Sequence, residues 1–216
     1  MGWIKDFHKK PQKIGYCQNG ESYRLKYIFE NIGTLNQYFV DLGAWDGKHL
    51  SNTKLFSELG WNGLLVDGKD FPGVVKSFIT AENIISTLVQ NNVPFEFDLL
   101  SIDLDGNDYW ILDRVLSGGY KPRVIISEYN SEHPMNECKT IEYDPNFVFQ
   151  PNEDYYGYTY GAGLKLADKH GYTIIGQTSD LNLYYLRNDL LTETPDYNVR
   201  VYRHWGGHTT RNWIHV

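Results

Sequence analysis

Two rhythms of apolar and polar residues alternate along this chain. The first is a short unbroken apolar run that closes on an acid or a glycine. Gln37–Gly43 (QYFVDLG), Gly63–Asp67 (GLLVD), Phe97–Asp105 (FDLLSIDLD) and Val124–Glu128 (VIISE) have this form, which is how a strand buried on both faces reads. The second places apolar residues three or four apart and stops at glycine. It predicts helices over Glu21–Asn31 (closed by Gly33), Leu50–Leu59, Ala81–Gln90, Asp108–Leu116 and Gly163–Lys169. Tyr172–Gly176 and Leu183–Leu186 read as strands joined by Gln177–Asn182. That link is too short for a helical crossover, so the pair is expected as an antiparallel hairpin at one edge. Strands alternating with helices predict an α/β fold, a mostly parallel sheet with helices on both faces. Residues 1–20 are polar and turn-rich and are expected as an irregular arm.

Composition fits one domain. The 216 residues are 41% apolar and 22% charged, enough for a sizeable core. Residues 131–162 are expected as an insertion or lid and 190–216 as a tail of the same domain. The net charge is −7 and no basic stripe appears, which argues against nucleic acid as a partner. Cys17 and Cys138 form no Cys-x-x-Cys pair and are expected as reduced thiols. The N-terminus lacks an apolar signal region, Asp6 breaks the myristoylation pattern, and no apolar run approaches the ~20 residues of a membrane span. A cytoplasmic monomer or homodimer is expected.

Chemistry gathers where strands end. Asp46-Gly47, Asp67-Gly68 and Asp105-Gly106 each follow a predicted strand. Any one pair could be an ordinary turn. Three along one sheet edge favour a site, because open α/β sheets bind ligands beyond the carboxyl ends of their strands. The first loop is Asp-x-Gly-x-x-x-Gly (Asp41–Gly47), not the Gly-x-Gly-x-x-Gly of dinucleotide sites, and Asp46 would repel a diphosphate. Two carboxylates suit a cationic ligand such as a sulfonium, and Asp67 can accept both hydroxyls of a ribose. A nucleoside without a diphosphate fits best. A nicotinamide-dependent oxidoreductase fits poorly.

Asp41-Leu-Gly-Ala-Trp-Asp-Gly47 resembles motif I of the class I S-adenosylmethionine-dependent methyltransferases, and Asp67 their ribose-binding acid. Ser51-Asn-Thr53, Gly60–Leu64, Leu100–Trp110, Pro122–Asn130, Tyr156-Gly157 and the Gly171-Tyr172…Asn182…Arg187-Asn-Asp189 tail are similar to an FkbM-related branch of that superfamily. The resemblance covers roughly residues 20–190. Two features depart from it: Trp45 stands where a glycine is usual, and Asp67 replaces the commoner Glu. The resemblance implies a Rossmann-like methyltransferase sheet and O-methylation from S-adenosyl-L-methionine. Cofactor contacts are then expected at Asp41, Gly43, Ala44, Trp45, Asp46, Gly47, Ser51, Asn52, Thr53, Asp67 and Asp103. Adenine is expected near Asn83, in the loop Thr80–Asn83.

Strand alternation puts Ser101, Asp103 and Asp105 on one side, and Glu128 and Asn130 share a side of the next strand. With strands about 4.8 Å apart, these acids would crowd one spot, and a hard divalent cation (Mg²⁺, Mn²⁺ or Ca²⁺) would relieve the repulsion. Asp103, Glu128 and Asn130 are the expected ligands. The plainer alternative is that Asp103 and Asp105 cap the next helix while Asn130 fixes a turn. A base must take the proton of an attacking alcohol. His133 and Asp105 lead, ahead of Glu132 and His49. Tyr143, Tyr155, Tyr156 and Tyr158 lie in an aromatic-rich stretch suited to the C–H faces of a sugar, or to a lid or dimer contact. His204, His208 and His215 lack the partners and spacing of a zinc site. The sequence therefore points to a metal-assisted sugar or glycan O-methyltransferase, with rhamnose a plausible acceptor. The alternatives are a non-catalytic nucleoside- or glycan-binding module, a methyltransferase for another small molecule, and an RNA methyltransferase, which the charge disfavours.

Overall fold

The computed structural model describes residues 2–7, 15–151, 153–178, 181–195 and 211–216. The apolar runs form β1 (Tyr38–Leu42), β2 (Asn62–Asp67), β4 (Glu96–Ile102) and β5 (Lys121–Glu128). A two-residue strand, β3 (Val75–Lys76), lies beside β2. The expected hairpin is β7 (Tyr172–Thr178) with β8 (Asn182–Arg187). The sheet order is β3-β2-β1-β4-β5-β8-β7, with the first five strands parallel and β8 antiparallel to both neighbours. This is the Rossmann-like methyltransferase sheet expected from the sequence. A separate ribbon pairs β6 (Lys139–Ile141) with β9 (Trp213–His215).

Strand alternation sorts the core into two layers. Val40, Leu42, Leu100, Ile102 and Ile125 pack under α4 (Ile84–Gln90), α5 (Asp108–Ser117) and α6 (Tyr160–His170). Phe39, Leu99, Val124, Ile126 and Leu186 face the other way, onto α1 (Ile4–Phe7), α2 (Glu21–Ile32) and α3 (Lys54–Glu58). Helices thus cover both faces. Among the described residues no helix is long and apolar enough to cross a membrane.

Several boundaries differ from expectation, four of them near the site or the core. The N-terminal stretch is not wholly irregular: Ile4 and Phe7, on one short helix, are buried in the second layer. The helix expected from Leu50 begins only at Lys54, because Leu50 adopts φ 52 and Ser51 Oγ accepts the N–H groups of Thr53 and Lys54. The helix expected from Ala81 starts at Ile84, after a turn that Asn83 closes by accepting the Thr80 N–H. β4 ends at Ile102, so Asp103 and Asp105 lie in a loop.

The lower end of the sheet is locked by a buried acid. Asp98 accepts the backbone N–H groups of Leu35, Asn36 and Gln37 at 2.7–3.0 Å and pairs with Arg123 at 2.8 Å. Arg123 also donates to the carbonyls of Gly33 and Ile32. Every charge here is met by a partner, as burial requires.

Candidate active site

The opposite end of the sheet opens between β1 and β4, whose following chains depart to opposite faces. This is the switch point where such sheets bind ligands. Gly43 has φ 85, and a Cβ there would stand 1.7 Å from the Asp103 carbonyl oxygen, so only glycine fits. The loops after β1 and β4 therefore interlock. Gly43 and Ala44 both donate to the Val66 carbonyl, and Asp103 donates to that of Leu42.

Asp67 sits at the end of β2, half-buried. Its Oδ2 accepts the Trp45 N–H and its Oδ1 the Lys69 N–H, both at 2.8 Å. Trp45 is a left-handed residue (φ 48) whose side chain is 47% exposed, which is strain of the kind that gathers at functional loops. Asp46 is engaged by its own turn: the N–H groups of Lys48 and His49 and the His49 ring all reach it. The His49 contacts pull its carboxyl down to about 2. Ser51, Asn52 and Thr53 are buried and face inward. Thr53 Oγ1 donates to Asp41 at 2.6 Å, and Asn52 Nδ2 to Ser101 Oγ at 3.3 Å. Burial raises the Asp41 carboxyl to about 6 against the pull of Thr53 and Ser101.

Beyond β4 and β5, oxygens of Asp103, Asp105 and Glu128 lie within 4.8 Å of one another. Burial, then the neighbouring carboxylates, drive Asp103 and Glu128 well above the ordinary range, and the two share a hydrogen bond. Burial and the charge of Asp67 raise Asp105 as well, which adopts φ 55. Neither Asp103 nor Asp105 caps α5. The N-cap residue is Asn107, with no side-chain cap bond, and Asp108 instead holds the loop by accepting the N–H groups of Leu104 and Gly106 at 2.9 Å. Glu128 is 8% exposed, yet its Oε2 has no hydrogen-bond partner.

Asn130 departs from expectation. Its Oδ1 accepts the Glu132 N–H, and its Nδ2 donates to the carbonyls of Asp154 and Tyr156. Its amide ties the insertion down instead of facing the acids. The amide in the right place is Asn182, directly opposite Glu128 across the β5–β8 ladder. Directly paired residues share a sheet face. Asn182 is 2% exposed and its Oδ1 is buried without a partner. Three carboxylates with two orphaned oxygens fit a hard divalent cation. Asp103 and Glu128 would hold it, with Asn182 across the ladder from Glu128; the exposed Asp105 is the third acid of the cluster.

The insertion is largely structural. Tyr158 is fully buried and bonded to Tyr185 through their hydroxyls, so it cannot line an acceptor site. Tyr156 packs on Phe149. His133 is buried, its ring edge-on to Trp213 at 4.5 Å and 3.7 Å from Glu137. That places it within the packing of the β6–β9 ribbon. Tyr143 and Tyr155 do line a cavity beside this ribbon. His204 and His208 lie outside the described residues, and His215 is exposed on β9.

No family model and no curated protein matches this chain. Among solved structures, Burkholderia thailandensis 1,6-didemethyltoxoflavin-N1-methyltransferase, with bound 1,6-didemethyltoxoflavin and S-adenosylhomocysteine, is similar over 87% of this chain and 86% of its own. The TM-score is 0.45 and the identity 13%. A likeness of that degree says nothing about residues or chemistry.

Two residues at this end had no site role in the sequence reading. Asn182, quoted there only for the family resemblance, needed the hairpin register to be placed opposite Glu128. Phe78 is 54% exposed and lies against Gly68, next to Asp67. An exposed aromatic after a short edge strand was its only signal.

Proposed function

We propose that the chain is an S-adenosylmethionine-dependent O-methyltransferase acting on a sugar hydroxyl of a glycan, with a divalent cation assisting. The observation that carries this reading is the placement of carboxylates around the β1–β4 opening. Asp67 stands at the end of β2, with Asp41 buried beneath the first loop and the acid cluster on the neighbouring loop. Such a cleft favours a cationic nucleoside and repels a diphosphate. Asp67 accepts the ribose hydroxyls, and Phe78 and Trp45 supply ring surface for the base. S-adenosylmethionine brings a sulfonium methyl. The attacking hydroxyl loses its proton, the O–CH₃ bond forms as the S–CH₃ bond breaks, and S-adenosylhomocysteine departs. With the ion held by Asp103 and Glu128, Asp105 stays free of it and is the base this arrangement favours over His133: it is exposed, whereas His133 is buried in the ribbon packing. A divalent ion bound by the cluster would lower the pKa of a coordinated hydroxyl.

Calorimetric titration with S-adenosylmethionine and S-adenosylhomocysteine, with and without Mg²⁺ or Mn²⁺ and with NAD as control, tests this reading. Micromolar binding of the sulfur nucleosides and no response to NAD is the expected result. Failure of both nucleosides to bind would replace it with a non-catalytic module.

A further inference from the structure

Beside the β6–β9 ribbon is a cavity of about 500 Å³, lined in part by Glu142, Tyr143, Asp144, Phe147, Tyr155 and Arg211. That is within the range of small-molecule sites, about 300–1,000 Å³. Both tyrosine hydroxyls are engaged. Tyr143 donates to Glu82 at 2.5 Å and accepts the Ala81 N–H. Tyr155 donates to the Asn212 carbonyl at 2.7 Å and accepts the Glu142 N–H. The rings are pinned, and what they offer a ligand is carbon surface. Polar groups come from the rim: the exposed Glu142 and Asp144, and the Arg211 guanidinium, 4.7 Å over the Tyr155 ring and paired with Glu153 at 2.9 Å.

This combination selects a chemistry. An anion would meet two carboxylates and a guanidinium already neutralised by Glu153. A flat apolar ring would use the carbon surface and leave the rim groups to water. A pyranose satisfies both parts, its C–H face on the rings and its hydroxyls on the carboxylates and guanidinium.

The cavity adjoins the acid loop without including it. A Cβ on Gly106 would come within 2.3 Å of the Phe147 ring, and Asn107 Nδ2 donates to the Asp144 carbonyl at 2.7 Å. Asp103, Asp105 and Glu128 are not among the lining residues. Its occupant therefore sits next to the reacting hydroxyl, not at it.

We propose that this cavity is a carbohydrate subsite for the sugar linked to the one that is methylated. The chain then takes a glycosidically joined acceptor in preference to a free monosaccharide. The proposal rests on the reading of the acid cluster as the place of methyl transfer.

The test titrates the full chain, with S-adenosylhomocysteine present and absent, against methyl glycosides of rhamnose, fucose, glucose, galactose, mannose and xylose and their disaccharides. Binding is read by saturation-transfer NMR and calorimetry. At least one disaccharide should bind ten times more tightly than its own monosaccharide. Phe147→Ala, and separately Glu142→Ala with Arg211→Ala, should erase that difference, while thermal melting shows that each variant is folded. Disaccharides that bind no better than monosaccharides, or an advantage that survives both variants, would overturn the subsite. So would displacement of the bound disaccharide by 4-methylcatechol. Sulfur nucleoside binding without saccharide binding sinks the subsite alone. Saccharide binding without nucleoside binding leaves the subsite standing and removes the transferase.

Discussion

Strand β4 carries a buried acid near its start and a half-buried one just past its end, and the two are treated in opposite ways. Asp98 is surrounded by donors: three backbone N–H groups and the Arg123 guanidinium. Asp103 is surrounded by acids, with Glu128, Asp105, Asp108 and Asp41 all acting on it. Four residues separate a carboxylate that closes a structure from one that leaves a demand unmet. Burial alone therefore does not mark function. A buried charge whose neighbours share its sign does, because the chain retains a repulsion that only something from outside can relieve.

Asp98→Ala gives the sharpest test of the paired end. It leaves Arg123 buried without its carboxylate and should cost about 3–5 kcal/mol in urea unfolding. A loss below about 1 kcal/mol would erase the contrast between the two ends.

The crowded end should show itself in pH dependence next. Asp41 and Asp108 are raised to about 6 in the folded chain, and Asp103 and Glu128 are raised well above the ordinary carboxylate range. The folded state then holds protons that the unfolded chain has released. Metal-free stability should fall as pH rises from about 4 through about 6 and beyond. Glu128→Gln should flatten that fall and raise stability at pH 7. Thermal melting across pH 5–8 in chelator reads both effects. Stability that climbs over this range would contradict the crowding.

Asp67→Asn should weaken S-adenosylhomocysteine about tenfold or more, roughly 1.4 kcal/mol, with little change in melting temperature. An unchanged affinity would move the ribose elsewhere. The smallest effects separate the two amides. Asn182→Ala should weaken Mn²⁺ binding a few-fold by calorimetry. Asn130→Ala should leave it within about twofold and lower the melting temperature by about 2–4 °C, the equivalent of one lost hydrogen-bond set. The reverse pattern would restore Asn130 to the cation site.

Much of this molecule was legible in its sequence, because a strand buried on both faces writes an unbroken apolar run. That placed β1, β2, β4 and β5 and the acids at their ends. The closing hairpin was legible from a link too short for a crossover. What was hidden depended on partners far along the chain. Asp98 reads as one more polar residue in an apolar strand until Arg123 is seen beside it. β6 and β9 are three residues each and form only because they find one another across more than seventy residues. Asn130 and Asn182 are indistinguishable by residue type; the β5–β8 register decides which one stands across from Glu128. The tyrosines of the insertion looked alike, yet Tyr158 is core and Tyr143 and Tyr155 are cavity wall.

The contact between Gly43 and the Asp103 carbonyl has a thermodynamic meaning. One loop borders the side of the cleft proposed for the nucleoside, the other suspends the acids, and no side-chain carbon fits between them. A ligand that shifts either backbone shifts both. By reciprocity, whatever factor a bound nucleoside adds to the affinity for a cation, the cation returns to the nucleoside. The size of that factor, the same whichever of the two binds first, is then set by the packing at a single α-carbon.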